Sequence, residues 1–231
     1  MAELVAASSF SKTTTHRVLS LLQEVRYVVQ DPEDRSYRLG TALADVARQA
    51  DLVDLASVAQ RPMRRLAEVS GDTVFFSIPE GAASVCIARE LGSYPVRTLT
   101  LERGDRAPIG VGGSALAIYC LLSDARRAAC NELNAQWIRE YDITLDQLEE
   151  ARAYFLREGY AFNRGMVYPE TSAIGLPVIA PDGGLVGGLA IGAVYSRMSL
   201  DRIDSLLLPA LRREAETLGA RLRRQPGEAG R

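Results

Sequence analysis

Lys12, Thr13, Thr14, His16 and Arg17 fall within six consecutive positions, and no Asp or Glu occurs between residues 4 and 23. Cations and short hydroxyls grouped in this way match the chemistry of a DNA surface. Phosphate oxygens accept hydrogen bonds from Lys, Arg, Ser and Thr, and the base edges of the major groove are read by Arg and Lys. Lys12 and Arg17 are therefore candidate base-edge or phosphate contacts, with Thr13 and Thr14 as short phosphate donors; His16, the chain's only histidine, shares the stretch. A second chemical signal is Gly110-Val111-Gly112-Gly113-Ser114, which runs into the apolar residues 115–119. Small residues opening a helix leave backbone amides accessible, and such amides bind an anion without a nearby cation. The same residues would also suit a tight strand-to-helix turn. They are not a dinucleotide fingerprint, because the third glycine is missing and no βαβ pattern follows.

The first cluster needs a helix to display it. Ser11 is a suitable N-cap, Phe10 ahead of it can fix the entry angle, and the apolar positions Val18, Leu19, Leu22 and Val25 come only after the polar turns. One end of such a helix faces a partner and the other a core. Residues 26–30 and 37–40 are short β-prone runs around Asp31-Pro32-Glu33-Asp34-Arg35-Ser36, which predicts a hairpin. A hairpin after a DNA-facing helix is the wing of a winged helix-turn-helix, with Arg35 at its tip and Arg38 beside it as phosphate contacts. The spacing of Leu43, Val46, Ala47 and Ala50 predicts a linker helix over 41–52, continued by a longer one with a break near Asp51 and a weak point at Pro62.

Beyond Gly71 the pattern changes. Residues 73–78, 84–89 and 96–101 are β-prone runs separated by Gly/Pro turns, which predicts an antiparallel sheet. Helices are expected after the glycine loop, over 123–134, and after Thr144, where Gln147 completes a capping box and Gly159 provides the stop. Two further strands, 172–179 and 185–192, flank a Pro-Asp-Gly-Gly turn. Ser199 is placed to cap a closing helix over about 200–224, and 225–231 read as a polar, disordered tail.

At 231 residues with 47% hydrophobic content, the chain can build a small unit and a larger one. Its net charge of −2 means that attraction to nucleic acid must be local. Cys86, Cys120 and Cys130 are scattered and form no CxxC, which points to core thiols in a reducing compartment rather than disulfides or zinc. No secretory pattern or long apolar run is present, so a cytoplasmic protein without membrane contact is expected. No nucleophile–base constellation or metal spacing stands out, so neither an enzyme nor a cofactor is expected. Asp146, Glu149, Glu150 and Glu158, close to Arg152 and Arg157, read as a solvated helix face with ion pairs rather than catalytic carboxylates.

In order and spacing, four segments resemble the IclR family of bacterial transcriptional regulators. Residues 2–8 resemble its second helix, and Lys12-Thr13-Thr14-Thr15-His16-Arg17-Val18-Leu19 its recognition helix. Tyr37-Arg38-Leu39-Gly40 resembles the end of its wing, and 159–178 followed by Asp182-Gly183 its ligand-domain signature. The resemblance implies an α+β protein with three parts: a winged helix-turn-helix head over 1–40 whose first helix is missing from this sequence, a linker helix over 41–52, and a GAF-like antiparallel-sheet effector domain over 53–224. It implies a homodimer or a dimer of dimers that binds an operator in double-stranded DNA and a small-molecule effector. Family members carry a further helix ahead of the segment that starts here at Met1, and we expect an upstream start or a trimmed chain. A ligand-sensing or dimerisation module without DNA binding is the alternative. In the family, amides matched here by Gly112 and Gly113 meet a ligand carboxylate, helped by late-strand positions matched by Asn163, Ala173, Ala190 and Gly192. Alanine and glycine there imply a roomier, less polar pocket suited to a bulkier acid or aromatic compound.

Overall fold

The computed structural model describes residues 2–8, 10–32 and 34–222, and the chain forms two units, Met1–Asp54 and Leu55–Arg231. The expected tail over 225–231 lies outside the described residues. In the first unit, α1 (Ala2–Ser8) precedes α2 (Lys12–Glu24), followed by a hairpin of β1 (Val28–Gln30) and β2 (Tyr37–Leu39). Ser11 caps α2 as expected: its Oγ accepts from the Thr14 amide at 3.2 Å. A cap of this kind contributes about 1 kcal/mol. Thr15, which lies inside the polar run, is buried; its Oγ1 donates to the Ser11 carbonyl at 3.0 Å and lies 3.2 Å from Ser8 Oγ, tying α1 to α2. The hairpin pairs Val28 with Leu39 and Gln30 with Tyr37, and Arg35 sits in its turn at φ 57°.

Helix α3 (Thr41–Ser70) is one element of 30 residues, without the break expected at Asp51. A single Asp costs only tenths of a kcal/mol in a helix, and neither Gly nor Pro is nearby to interrupt the ladder. Pro62 does sit inside α3, where burial of Ala59, Met63 and Leu66 offsets its lost hydrogen bond.

The second unit is built on one antiparallel sheet of β3 (Thr73–Glu80), β4 (Ala83–Glu90), β5 (Arg106–Pro108), β6 (Ala161–Arg164), β7 (Thr171–Ile179) and β8 (Leu185–Val194). Their order is β5-β4-β3-β8-β7-β6. Between β5 and β6 come α4 (Gly113–Leu121), α5 (Asp124–Arg139) and α6 (Leu145–Glu158), and after β8 the chain closes through α7 (Leu200–Arg202), a π turn (Ile203–Leu207) and α8 (Leu208–Arg221). The capping signals hold: Ser199, the Thr144–Gln147 box and Gly159 at φ 79° bound their helices as read, and Ser123 caps α5. The closing helix is not uniform, because Pro209 has no amide for the Ser205 carbonyl, and the ladder widens into the π turn just ahead of it.

Two departures concern strands. Residues 96–101 form no strand: the Leu101 carbonyl accepts from Arg89 Nη1 at 2.8 Å instead of a ladder amide, and β5 takes the place beside β4. β6, absent from the expected set, occupies the opposite edge and pairs Asn163 with Ala173.

The sheet's alternation separates its two faces. Ala173 and Gly175 of β7 face α4, while Ile174, Leu176 and Val178 point to the other side, where α8 packs on β7. A Cβ at Gly175 would sit 2.4 Å from the Gly113 carbonyl oxygen, and one at Gly188 2.0 Å from that of Ser114. These glycines let the start of α4 lie directly on the sheet. At the end of α3, the buried Asp72 carboxylate accepts from Arg197 Nε and Arg202 Nη2, both at 2.8 Å, and both arginines also donate to the Ser70 carbonyl. Arg197 lies 3.8 Å over the Tyr94 ring, whose amide donates to Gly71, so this ionic cluster anchors the irregular segment 91–105 as well.

Candidate functional site

A cavity of about 670 Å³, its open mouth included, lies where the first turn of α4 meets the sheet and segment 91–105. Gly112, at φ 90°, makes the turn into α4 that other residues rarely adopt, and no side chain caps the helix. The amides of the first turn, at Gly113 and Ser114, are left without a capping acceptor where the helix dipole is positive. No Asp, Glu, His, Lys or Arg is among the lining residues.

What the side chains offer instead are neutral hydrogen-bond donors. Asn163 is buried, and its Oδ1 accepts from the Met166 amide at 3.0 Å, which commits the carbonyl end and leaves Nδ2 as the free end of the amide. Tyr141 lines the wall with its phenol pushed up by burial and by the nearby Tyr168, Glu140 and Asp105, so it stays a neutral donor. Thr98 Oγ1 is buried without a partner and lies over Gly192, where an added Cβ would be 3.0 Å away. Phe75, Leu101, Val167 and Tyr168 supply the apolar wall. A cavity lined by neutral hydrogen-bond donors and rings at a helix N-terminus favours a small anion with an apolar body.

Of the six positions expected to hold a ligand, Gly112, Gly113, Asn163, Ala173 and Gly192 line this cavity and Ala190 does not. Ala190 is 1% exposed and lies beneath α4: a Cβ at Gly113 would be 2.6 Å from Ala173 Cβ and 3.1 Å from Ala190 Cβ. The two alanines therefore admit the helix rather than widen the pocket, contrary to the reading of an alanine floor as extra room. Thr98 and Tyr141 were not singled out in the sequence. Neither stands in a motif, and each reaches the cavity only through the tertiary fold.

At the other end of α4, the buried Tyr119 donates to Glu149 Oε1 at 2.7 Å and accepts from Asn131 Nδ2 at 3.2 Å, and its phenol is pushed up to about 12 by burial and that bond. Burial also raises Glu149, but bonds from Tyr119 and Arg127 and the charge of Arg152 outweigh it and hold the carboxyl below its usual range. Glu149 thus joins α4, α5 and α6 while staying exposed and ion-paired, in keeping with the solvated, ion-paired face read from the sequence. The three thiols are free and buried, with Cys86 pushed up to about 11 and Cys120 to about 12 chiefly by burial.

In the first unit, Ser11, Lys12, Thr13, Thr14, His16 and Arg17 are exposed at the start of α2, as is Arg35 on the hairpin. Two have local engagements: Thr14 Oγ1 lies 2.9 Å from Ser11 Oγ within the cap, and Arg38 is ion-paired with Asp31. Among the described residues, no cluster of His, Cys, Asp or Glu could hold a metal, and no helix is long and apolar enough to cross a membrane.

A helix-turn-helix with a β-hairpin, followed by a long helix and a sheet domain with an anion-suited cavity, is the architecture of a ligand-responsive DNA-binding regulator. The family described as IclR helix-turn-helix domain matches residues 1–32, and that described as Bacterial transcriptional regulator IclR C-terminal matches residues 47–220. The chain belongs to the IclR family of bacterial transcriptional regulators, which are not enzymes. It is 28% identical to the HTH-type transcriptional repressor AllR of Escherichia coli K12, over 84% of this chain and 72% of that protein. It is 22% identical to the HTH-type transcriptional regulator KipR of Bacillus subtilis, over 89% and 83%. Crystal structures of Thermotoga maritima IclR (TM-score 0.64, 16% identity, 94% of this chain and 88% of that one) and of an IclR-family regulator from Brucella abortus (0.63, 17%, 94% and 82%) share the fold.

Proposed function

We propose that this protein binds operator DNA through α2 and the hairpin, and that a small organic acid seated at the start of α4 changes that binding. The observation that carries the effector half is the uncapped N-terminus of α4, opening into a cavity that no Asp, Glu, His, Lys or Arg lines. A carboxylate there would take the free amides and the positive end of the helix dipole, with Asn163 Nδ2 and Tyr141 as further donors. Lys12, Thr13, His16 and Arg17 supply the major-groove contacts and Arg35 the phosphate contact of the wing; Arg38 contributes only when it leaves Asp31. The working form is a cytoplasmic homodimer or dimer of dimers, which reads a two-fold related site. Similarity to AllR, a transcriptional repressor, supports repression as the direction of control, and we take the controlled operon to be a catabolic one.

Fluorescence anisotropy with the intergenic DNA beside the protein's own gene, with and without candidate organic acids, tests this reading. Salt-sensitive binding that an acid weakens or strengthens is expected. Failure to bind that DNA at low salt would favour the second reading, a sensor whose head does not engage DNA. That reading is motivated by Val18, Leu21, Val25 and Val29, which stand exposed around α2 and β1.

A further inference from the structure

We infer that the buried cluster of Asp72, Arg197 and Arg202 is a joint that makes segment 91–105 of the cavity wall and the end of α3 shift together, so that occupancy of the cavity reaches α3 through it. The inference rests on the acid-effector reading above and names the residues that would carry its output. Asp72 stands two residues past the end of α3, and its side chain is 1% exposed. Its carboxylate accepts from both Arg197 and Arg202, and two guanidiniums on one carboxylate leave a surplus positive charge. Two neighbours share that surplus. One is the Ser70 carbonyl at the negative end of α3, which accepts from Arg197 Nη2 at 3.1 Å and from Arg202 Nη2 at 2.6 Å, whereas the helix has no basic residue in its own last turn. The other is the Tyr94 ring, whose face lies 3.8 Å from the Arg197 guanidinium. Withdrawing the ring leaves the charge to bear on α3 alone, so the two contacts are linked through Arg197.

Backbone packing tightens the link. The Tyr94 amide donates to the Gly71 carbonyl at 2.8 Å, and a Cβ at Gly92 would lie 2.1 Å from the Gly71 carbonyl carbon, so the segment starts against the residue that follows α3. Further along, the same segment supplies Thr98, Thr100 and Leu101 to the cavity. A second part of the lining meets the cluster as well: in the Tyr195–Arg197 turn, the Tyr195 amide donates at 2.7 Å to the carbonyl of Glu170, which lies between Tyr168 and Thr171 of the cavity. Opening a buried ion pair is far more costly than losing a ring contact. Asp72, the two arginines and the end of α3 are therefore the stiff part of the joint, and Tyr94 is the part that a change in the cavity wall would move.

Hydrogen exchange of the full chain, read by mass spectrometry, tests the joint without any ligand. Tyr94→Leu keeps apolar bulk and removes the ring face, so exchange should quicken about 2- to 30-fold, the range expected for one cation–π contact, both in 91–101 and in the last turn of α3, with α6 unchanged. Arg197→Lys keeps the charge but loses the fork that spans Asp72 and the Ser70 carbonyl, and should quicken the same two segments. Faster exchange in 91–101 alone, no change in either segment, or equal acceleration in α6 would overturn the inference. DNA affinity of both variants without acid should differ from that of the parent by about fivefold or more, the lower end of allosteric coupling. Unchanged affinity in both overturns the inference and leaves the acid-effector reading standing. A parent chain that binds no DNA refutes that reading instead, and the exchange pattern still decides the joint.

Discussion

Gly113→Ala isolates the close approach on which the pocket depends. The added Cβ would meet Ala173 Cβ at 2.6 Å and Ala190 Cβ at 3.1 Å, both fixed to strand backbone. Carbon atoms pack at about 3.5–4.0 Å, so the start of α4 must lift by about 1 Å. Overpacking of this kind costs about 1–3 kcal/mol, against a helix-propensity gain of at most about 1 kcal/mol for replacing glycine. Subtracting the full gain leaves a net loss of up to about 2 kcal/mol, or a melting temperature lower by up to about 8 °C in a domain of this size. Ala173→Gly removes the shorter contact and leaves only the 3.1 Å one, so the double variant should recover most of the loss. Urea and thermal unfolding of the four proteins in this cycle measure the coupling directly. A Gly113→Ala protein at least as stable as the parent, or additive effects in the double variant, would show that α4 does not rest on Ala173.

Other expectations follow from single groups. Arg17→Ala should weaken DNA binding and lower the slope of log affinity against log salt by about one unit if the contact is to phosphate; an unchanged slope assigns it to a base edge. Burial raises Glu214, but Arg65 and Arg213 outweigh it and hold the carboxyl below its usual range. Its contribution is thus complete above the unfolded carboxylate pKa of about 4.3 and lost as pH falls through the lower folded value. Glu214→Gln should accordingly be less stable at pH 7 and lose less stability between pH 7 and pH 3, and an unaltered pH profile would contradict this. Ellman's reagent should find Cys86, Cys120 and Cys130 unreactive in the folded chain and all three reactive in urea, since burial keeps the thiols protonated.

Helix starts were legible because caps are local chemistry. Ser11, Ser199 and the Thr144–Gln147 box each act within a few residues, and each bounds the helix it was read to bound. The hairpin and the glycine loop were legible for the same reason. Residues 96–101 misled because β-propensity reflects fit to a pleated neighbour, and here Arg89 occupies the Leu101 carbonyl and leaves the run without one. The candidate site was half legible. Gly112, Gly113 and Asn163 stood in recognisable segments, whereas Thr98 enters the cavity from a segment anchored through Tyr94 and Arg197, residues 103 positions apart by their numbers. Ala190 could be placed under α4 rather than in the pocket only once β7 and β8 were paired and a backbone approach was measurable.

The central claim is that the cavity at α4 and the DNA-contact surface of α2 belong to one equilibrium. Its most direct measurement is the affinity of whichever candidate organic acid alters DNA binding, for the free protein and for the protein saturated with its intergenic DNA, paired with DNA affinity at zero and saturating acid. Thermodynamic reciprocity requires the two ratios to be equal, and a coupling of about 1–3 kcal/mol would make each differ from unity by about 5–150-fold. Equal, non-unit ratios are the predicted result. Tight binding of both ligands with both ratios equal to one would contradict it.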